Sequence, residues 1–436
     1  MLENRQLAAH EQAMEILNNL AATYNVVTIG RIKGILNQKF LRQALDVIQS
    51  RHPSLSSRII AKSNSFWLEG GADKIPLLVV KKQQIQQWEE VVIQELNQKI
   101  NSDRNLLRVT LIEFEEEENI CYLIATIHHA IADASSCIQL HSEILTNCQK
   151  IAEGNGETSV KQLPQLPSTN TLIPKSIKDF ARIGNIFFLL RIKLQLIRYK
   201  PTTLNFEKSV PLESRSCGMV HRKLDSQLTA RLLDVCRQQK TTIQAALAAA
   251  MLFAVAEKTN LSQRKNTYLS FQSAVNLRPR LKPKISNEHL SLVASFINTF
   301  HNVSLRENKT FWDLARDIKQ KLETDLASGD AFRFIFASKT LLKFMLKNPD
   351  KSPISASLTN IGRVNIPHNY GQIELEEISF GSAQSAFGGI FAAAVSTFRG
   401  KMLLNFMFSQ PSISTETIES LASDMICIIS DICNQE

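Results

Sequence analysis

The chain has 436 residues, 44% hydrophobic and 21% charged, the balance of a globular protein long enough for two domains of ordinary size. Its formal net charge of +9 suits anionic partners such as coenzyme A, an acidic carrier protein or a membrane surface, and ranks nucleic acid last because no recognition motif accompanies the charge. No apolar run is long enough to predict a transmembrane helix, the first residues lack the order of a signal peptide, and the seven cysteines form no CxxC pair, so a cytoplasmic protein without a disulfide framework or zinc site is expected.

In chain order, residues 7–20 read as an amphipathic helix and the alternation from Asn25 to Gly34 as a strand. Asn37 to Ser50 places Phe40, Leu41, Ala44, Leu45 and Ile48 on one helical face. Arg51-His52-Pro53-Ser54-Leu55 ends that helix, because the residue before a proline is pushed out of the helical region. Leu55 to Ile60 and Phe66 to Leu68 read as short strands, and Gln84 to Ile100 as a helix. Leu106 to Phe114 pairs with Ile120 to Ile127. The turn between them carries Glu115 to Glu118, read as a solvated tip rather than a metal site because adjacent positions point in different directions.

The next stretch is His128-His129-Ala130-Ile131-Ala132-Asp133-Ala134. After it Ile138, His141, Leu145 and Cys148 recur at helical spacing, so the order is strand, loop, helix. A doubled histidine just past a strand sits where a rigid scaffold can aim an imidazole into a cleft. Imidazole is suited to taking a proton from a hydroxyl or amine near neutral pH, and Asp133 can turn back to hold the loop's shape. The plainer reading is a surface or satisfied core histidine, and on the local pattern alone the two stand level.

Composition changes after Cys148. Gly154, Gly156, Pro164, Pro167 and Pro174 mark an exposed connection between two halves. From Thr171 to Lys200 seven lysines and arginines face one aspartate, a local net of +6, and Ile183 to Lys200 is strongly apolar as well. Such a segment either covers the core with its charges outward or lies on a membrane surface; the lack of one clean polar face favours the former. Val220 to Leu224 reads as a strand, Ser226 to Gln239 as a helix, and alanine-rich Ile243 to Lys258 as a threonine-capped helix buried almost all round. Thr267 to Pro279 is a strand ending at Arg278, Asn308 to Leu322 an amphipathic helix, and Phe391 to Phe408 a hairpin around Arg399-Gly400; a closing helix starts near Thr415.

The seven residues from His128 to Ala134 resemble the HHxxxDG signature of the acyltransferases related to chloramphenicol acetyltransferase. That superfamily includes nonribosomal peptide condensation domains, polyketide-associated acyltransferases, plant BAHD enzymes and wax ester synthases. Further stretches resemble it in the right order: the strand, Gly34 and helix leading to Arg51-His52-Pro53-Ser54-Leu55; Val275-Asn276-Leu277-Arg278; the helix with Phe311-Trp312; Ser357 to Gly362; and the closing hairpin and helix. Ala134 departs from the signature, which ends in glycine. Alanine strains the turn if the position needs a positive φ and is mild if it needs only a small residue.

The resemblance implies an α/β fold of two chloramphenicol-acetyltransferase-like halves, each a mixed sheet with packed helices, forming a V-shaped pseudo-dimer whose cleft is crossed by a tunnel. Residues 1–160 would be the N-terminal half carrying the motif, 161–205 the linker and basic apolar segment, and 206–436 the C-terminal half. It implies acyl transfer from a thioester with His129 as general base, His128 and Asp133 shaping the loop, Arg278 paired with Asp133, and Asn360 as a substrate-binding candidate. No metal and no permanently bound cofactor are expected; the donor is acyl-CoA or a phosphopantetheinyl acyl carrier protein. A hydroxyl acceptor and an ester product are preferred because the C-terminal half looks closest to the polyketide-associated branch. An amide-forming condensation enzyme and a non-catalytic member binding a carrier protein or lipid are the alternatives. A standalone monomer is expected, with peripheral membrane contact left open.

Overall fold

The computed structural model describes residues 3–21, 24–63, 65–155, 160–179, 181–259, 267–303 and 310–434; Gly156 and the start of the helix expected from Asn308 lie outside them. In chain order come β1 (Arg5–Gln6), α1 (Ala9–Ala21), β2 (Val26–Lys33), α2 (Gln38–Arg51), β3 (Ser57–Lys62), β4 (Ser65–Gly70), β5 (Leu77–Lys82), α3 (Trp88–Asn97), β6 (Leu107–Phe114), β7 (Ile120–Ile127), α4 (Ala134–Ala152) and the single turns α5 (Thr169–Leu172) and α6 (Lys175–Lys178). There follow α7 (Ala181–Tyr199), β8 (Ser216–Leu224), α8 (Ser226–Gln238), α9 (Ile243–Lys258), β9 (Tyr268–Asn276), β10 (Ala294–Asn302), α10 (Phe311–Ala327), α11 (Asp330–Leu346), β11 (Ala356–Arg363), β12 (Asn369–Tyr370), β13 (Ile373–Ser382), β14 (Phe391–Phe398), β15 (Lys401–Gln410) and α12 (Thr415–Asn434).

These elements form two compact units, neither continuous in sequence. The first takes Met1–Ile173, Arg278–Val293 and Arg363–Ala383; the second takes Pro174–Leu277, Ala294–Gly362 and Gln384–Glu436. The chain first changes unit inside the expected 161–205 connection, but it returns to the first unit twice, so 206–436 is not one half by itself. The reason for the second return is strand pairing: β13 lies antiparallel beside β2, from Ser382 opposite Val26 to Glu374 opposite Lys33.

The main sheet of the first unit has the order β12-β13-β2-β7-β6-β5, antiparallel throughout except for β5 beside β6. β2, β6 and β7 are buried along almost their whole length, as their near-continuous apolar runs require. The helix α2 is capped by the Asn37 side chain and buries Leu41, Ala44, Leu45 and Ile48, packing on α4. His141 of α4 rests on Gly30 of β2, where a Cβ would come within 2.4 Å of Nε2. That close approach seats α4 over the sheet and fixes where its first turn, next to the end of β7, can lie. Two expectations shift here. The helix expected over Gln84 to Ile100 is confined to α3 with a 3-10 turn before it, and the residues after Pro53 make a 3-10 turn before β3 begins.

The second unit has the sheet order β10-β9-β11-β14-β15-β8, with β11 parallel to β9. Its core centres on α9, buried from Ala245 to Ala256 except at the partly buried Phe253 and flanked by α8, α10 and α12. Alanines here let neighbouring helices approach closely. The β14–β15 hairpin turns through Arg399 (φ 51°) and Gly400 (φ 81°), with Phe398 opposite Lys401, the two-residue geometry whose twist matches that of the strands. The segment read as a helix covering the core is α7, but it carries apolar side chains outward as well as inward. Among the described residues no helix is long and apolar enough to cross a membrane.

Candidate active site

The loop of residues 128–133 is anchored by β7 on one side and α4 on the other. Its two histidines have different environments. His128 is fully buried; its Nδ1 accepts the Ala130 N–H at 3.1 Å, and its Nε2 lies 2.8 Å from Oε2 of Glu15 on α1. Burial alone would raise the Glu15 carboxyl, but His128 beside it, with Ser102 and Asn19, holds it below its ordinary value. His128 is therefore tied into the scaffold.

His129 is only half buried. Its Nδ1 stands 2.7 Å from the Ala132 carbonyl oxygen, which can only accept, so Nδ1 carries the proton and Nε2 keeps its lone pair. Burial pushes the His129 pKa below 6.5, against the opposing pull of the Ala132 carbonyl and of Asp133. At neutral pH this imidazole is uncharged and can accept a proton at Nε2.

Asp133 does three jobs with one carboxylate. It caps α4, accepting the Ser136 N–H at 2.9 Å; it lies 2.9 Å from the Ser136 hydroxyl; and its second oxygen accepts the Val293 N–H at 3.2 Å. Arg278, also buried, brings Nη2 to 3.7 Å from Asp133 Oδ1. Its hydrogen bonds go to the Ser136 hydroxyl and to the carbonyls of Ser286 (3.2 Å), His289 (3.1 Å) and Ser291 (3.4 Å). The pair therefore meets through Ser136, with the 278–293 segment wrapped around it. Ala134 opens α4 and is absent from the positive-φ residues, so this departure from the signature carries no backbone strain.

The Arg51-His52 pair ties the same parts together. Arg51 reaches Glu143 of α4 at 2.7 Å and Glu288 at 2.8 Å, while His52 lies 2.9 Å from Glu143. Asn360 lies in the second unit, on β11, where its Oδ1 accepts the Gly362 N–H at 2.8 Å and closes a local turn.

Sequence reasoning missed Glu15 and Ser136. Helical periodicity makes residues 7–20 amphipathic, whereas α1 is buried around most of its circumference and its polar His10, Glu11, Glu15 and Asn18 lie inside. A buried acid needs a partner, but that partner, His128, is remote in sequence and nothing local announces it. Ser136 reads as one more residue in a helix's first turn.

Residues 9–166 match the family described as Condensation domain, and residues 213–410 the one described as Phthiocerol/phthiodiolone dimycocerosyl transferase C-terminus. A phthiocerol/phthiodiolone dimycocerosyl transferase of Mycobacterium ulcerans (strain Agy99) is 24% identical over 321 residues, 72% of each chain. The fold is similar to that of polyketide synthase associated protein 5 from Mycobacterium tuberculosis, with a TM-score of 0.69 at 17% identity over 98% of both chains. It is also similar to a trichothecene 15-O-acetyltransferase from Fusarium sporotrichioides, with a TM-score of 0.74 at 12% identity over 98% of this chain and 95% of that one.

Proposed function

Because the chain belongs to the chloramphenicol-acetyltransferase-like superfamily of condensation domains and acyltransferases, and is an acyltransferase, we propose that it moves an acyl group from a thioester to a hydroxyl acceptor, with His129 as general base. The observation that carries this reading is the state of one nitrogen. With Nδ1–H held on the Ala132 carbonyl and the ring kept neutral by burial, Nε2 of His129 is the available base of the motif.

Nε2 takes the acceptor's proton as its oxygen bonds to the thioester carbonyl carbon. When the tetrahedral adduct collapses, the carbon–sulfur bond breaks and the same proton passes to the departing thiolate. Ester and free thiol result, with no net proton change. The donor is acyl-CoA or a phosphopantetheinyl acyl carrier protein, which present the same thioester. Direct transfer is supported by the thiol next to the motif: burial raises the Cys137 pKa well above its ordinary value, far from a reactive thiolate. The hydroxyl preference rests on the match of residues 213–410 to the dimycocerosyl transferase C-terminus.

The test is free-thiol release by the purified protein, offered acyl-CoA and acyl carrier protein donors with alcohol and amine acceptors, and product identification by mass spectrometry. Alcohol-dependent release should fall by about 10²–10⁴ in His129→Ala. A variant within twofold of wild type would overturn the base assignment, and amide as the main product would overturn the acceptor class.

A further inference from the structure

We propose that the outward face of α7 docks on an anionic lipid surface. This helix has two apolar faces. The inward one holds Phe188, Ile192 and Leu196, which line a space with Phe296 and Phe300 of β10 and Phe334 of α11, while Tyr199 stacks on Phe300 at 5.0 Å. The outward one holds Ile183, Ile186, Phe187, Leu190, Leu194 and Ile197, all 49–67% exposed. At about 100° per residue these six fall in one stripe roughly 100° wide and ~20 Å long. Among the described residues, half of the exposed large apolar side chains lie on this one helix, so the stripe is a patch and not scatter.

The charge around the stripe names the occupant. In the same helical projection Arg191 and Arg198 border it on one side and Lys193 on the other, all exposed, and Lys200 follows; Ala181–Tyr199 contains no acid. Arg191 also bonds Asp330 of α11. A second copy of the chain would bring an identical cationic rim against this one, whereas phosphate headgroups oppose it with negative charge. Long basic side chains hold their charges at headgroup level while the apolar stripe enters the acyl boundary, the geometry of a helix lying flat in the interface. Two apolar faces with charge confined to the seams between them also explain why the segment shows no clean polar face in sequence.

The experiment is flotation of the full chain with vesicles of phosphatidylcholine alone and of phosphatidylcholine with phosphatidylglycerol. Wild type should float with the anionic vesicles. Phe187→Glu/Leu194→Glu should weaken binding on the order of 100-fold. Lys193→Glu/Arg198→Glu should weaken it on the order of 10-fold or more and abolish its salt dependence. Wild type that floats with neither vesicle, or an apolar variant that binds like wild type, overturns the proposal. So does a wild-type dimer in lipid-free buffer that Phe187→Glu/Leu194→Glu converts to monomer, since the stripe would then belong to a second copy. If the glutamate variants do not fold, Phe187→Trp decides: quenching by brominated anionic lipid is expected, and emission unchanged by lipid is the overturning result.

Discussion

Replacing Asp133 with alanine should destabilise the first unit by about 3–5 kcal/mol, and replacing it with asparagine by about 1.5–3 kcal/mol. The difference follows from what each change removes. Alanine deletes the cap of α4, worth about 1–2 kcal/mol, and the acceptor for Val293 N–H, and leaves the buried Arg278 guanidinium without this carboxylate. Asparagine is itself a good cap and keeps an oxygen for Ser136 N–H; its amide nitrogen cannot accept the Val293 N–H, so it loses that bond and the charge beside Arg278 but not the cap. For a unit of roughly 200 residues each kcal/mol moves the melting temperature by about 2–4 °C, which puts the alanine variant about 6–20 °C below wild type. The assay is thermal unfolding followed by circular dichroism, with thiol release measured in parallel. Activity should fall with stability, because the Ala132 carbonyl that orients His129 lies next to the residue replaced. Asp133→Ala/Arg278→Met should be less destabilised than the sum of its two single changes, since it orphans no charge. If Asp133→Ala melts no lower than Asp133→Asn, or the double variant is strictly additive, the account of this buried knot is wrong.

Ala134→Gly, which restores the signature residue, should leave thiol release unchanged and lower stability by no more than about 1 kcal/mol, because Ala134 has ordinary helical backbone; a several-fold gain in rate would show that a positive φ is needed after all. The rate should be limited in acid by protonation of His129. With its pKa held below 6.5 by burial, the base stays free as pH falls through 6.5, and a pH–rate profile should place the acid limb below that value; a midpoint above 6.5 would contradict it. Gly30→Ala should cost about 1–3 kcal/mol or more by driving a methyl into His141, and His141→Ala in the same chain should recover part of that loss in thermal melts. His141 itself is held neutral, its pKa lowered to about 3 by burial, so the unfolded chain binds a proton there that the folded chain refuses. Its contribution is complete above 6.5 and is lost at about 1.4 kcal/mol per pH unit as pH falls toward 3, a slope that His141→Ala should remove from acid denaturation.

Most of the local structure was legible because it is encoded locally. The strand Ile120 to Ile127, the loop with both histidines, the helix with Ile138, His141, Leu145 and Cys148, the buried alanine helix and the Arg399-Gly400 hairpin all follow from periodicity and turn chemistry in contiguous residues. β5 escaped notice because a short parallel edge strand, with Leu78 and Val79 exposed, lacks the alternation of a half-buried one. What contiguous residues cannot encode is partnership over long separations. Nothing near Ile373–Ser382 says that it completes a sheet with Val26–Lys33, and nothing near Glu15 says that His128 will lie against it. Nor does anything near Ser286, His289 and Ser291 say that their carbonyls will surround Arg278. By itself the sequence determined the elements flanking the motif, the motif itself and the kind of chemistry a histidine after a strand can perform, while β5, β10, α11 and β13 were not legible in it. Only the tertiary structure decided that His128 is walled in against Glu15 and that His129 holds its Nδ1 on the Ala132 carbonyl, because burial and hydrogen-bond direction are properties of the packed neighbours and not of the residue.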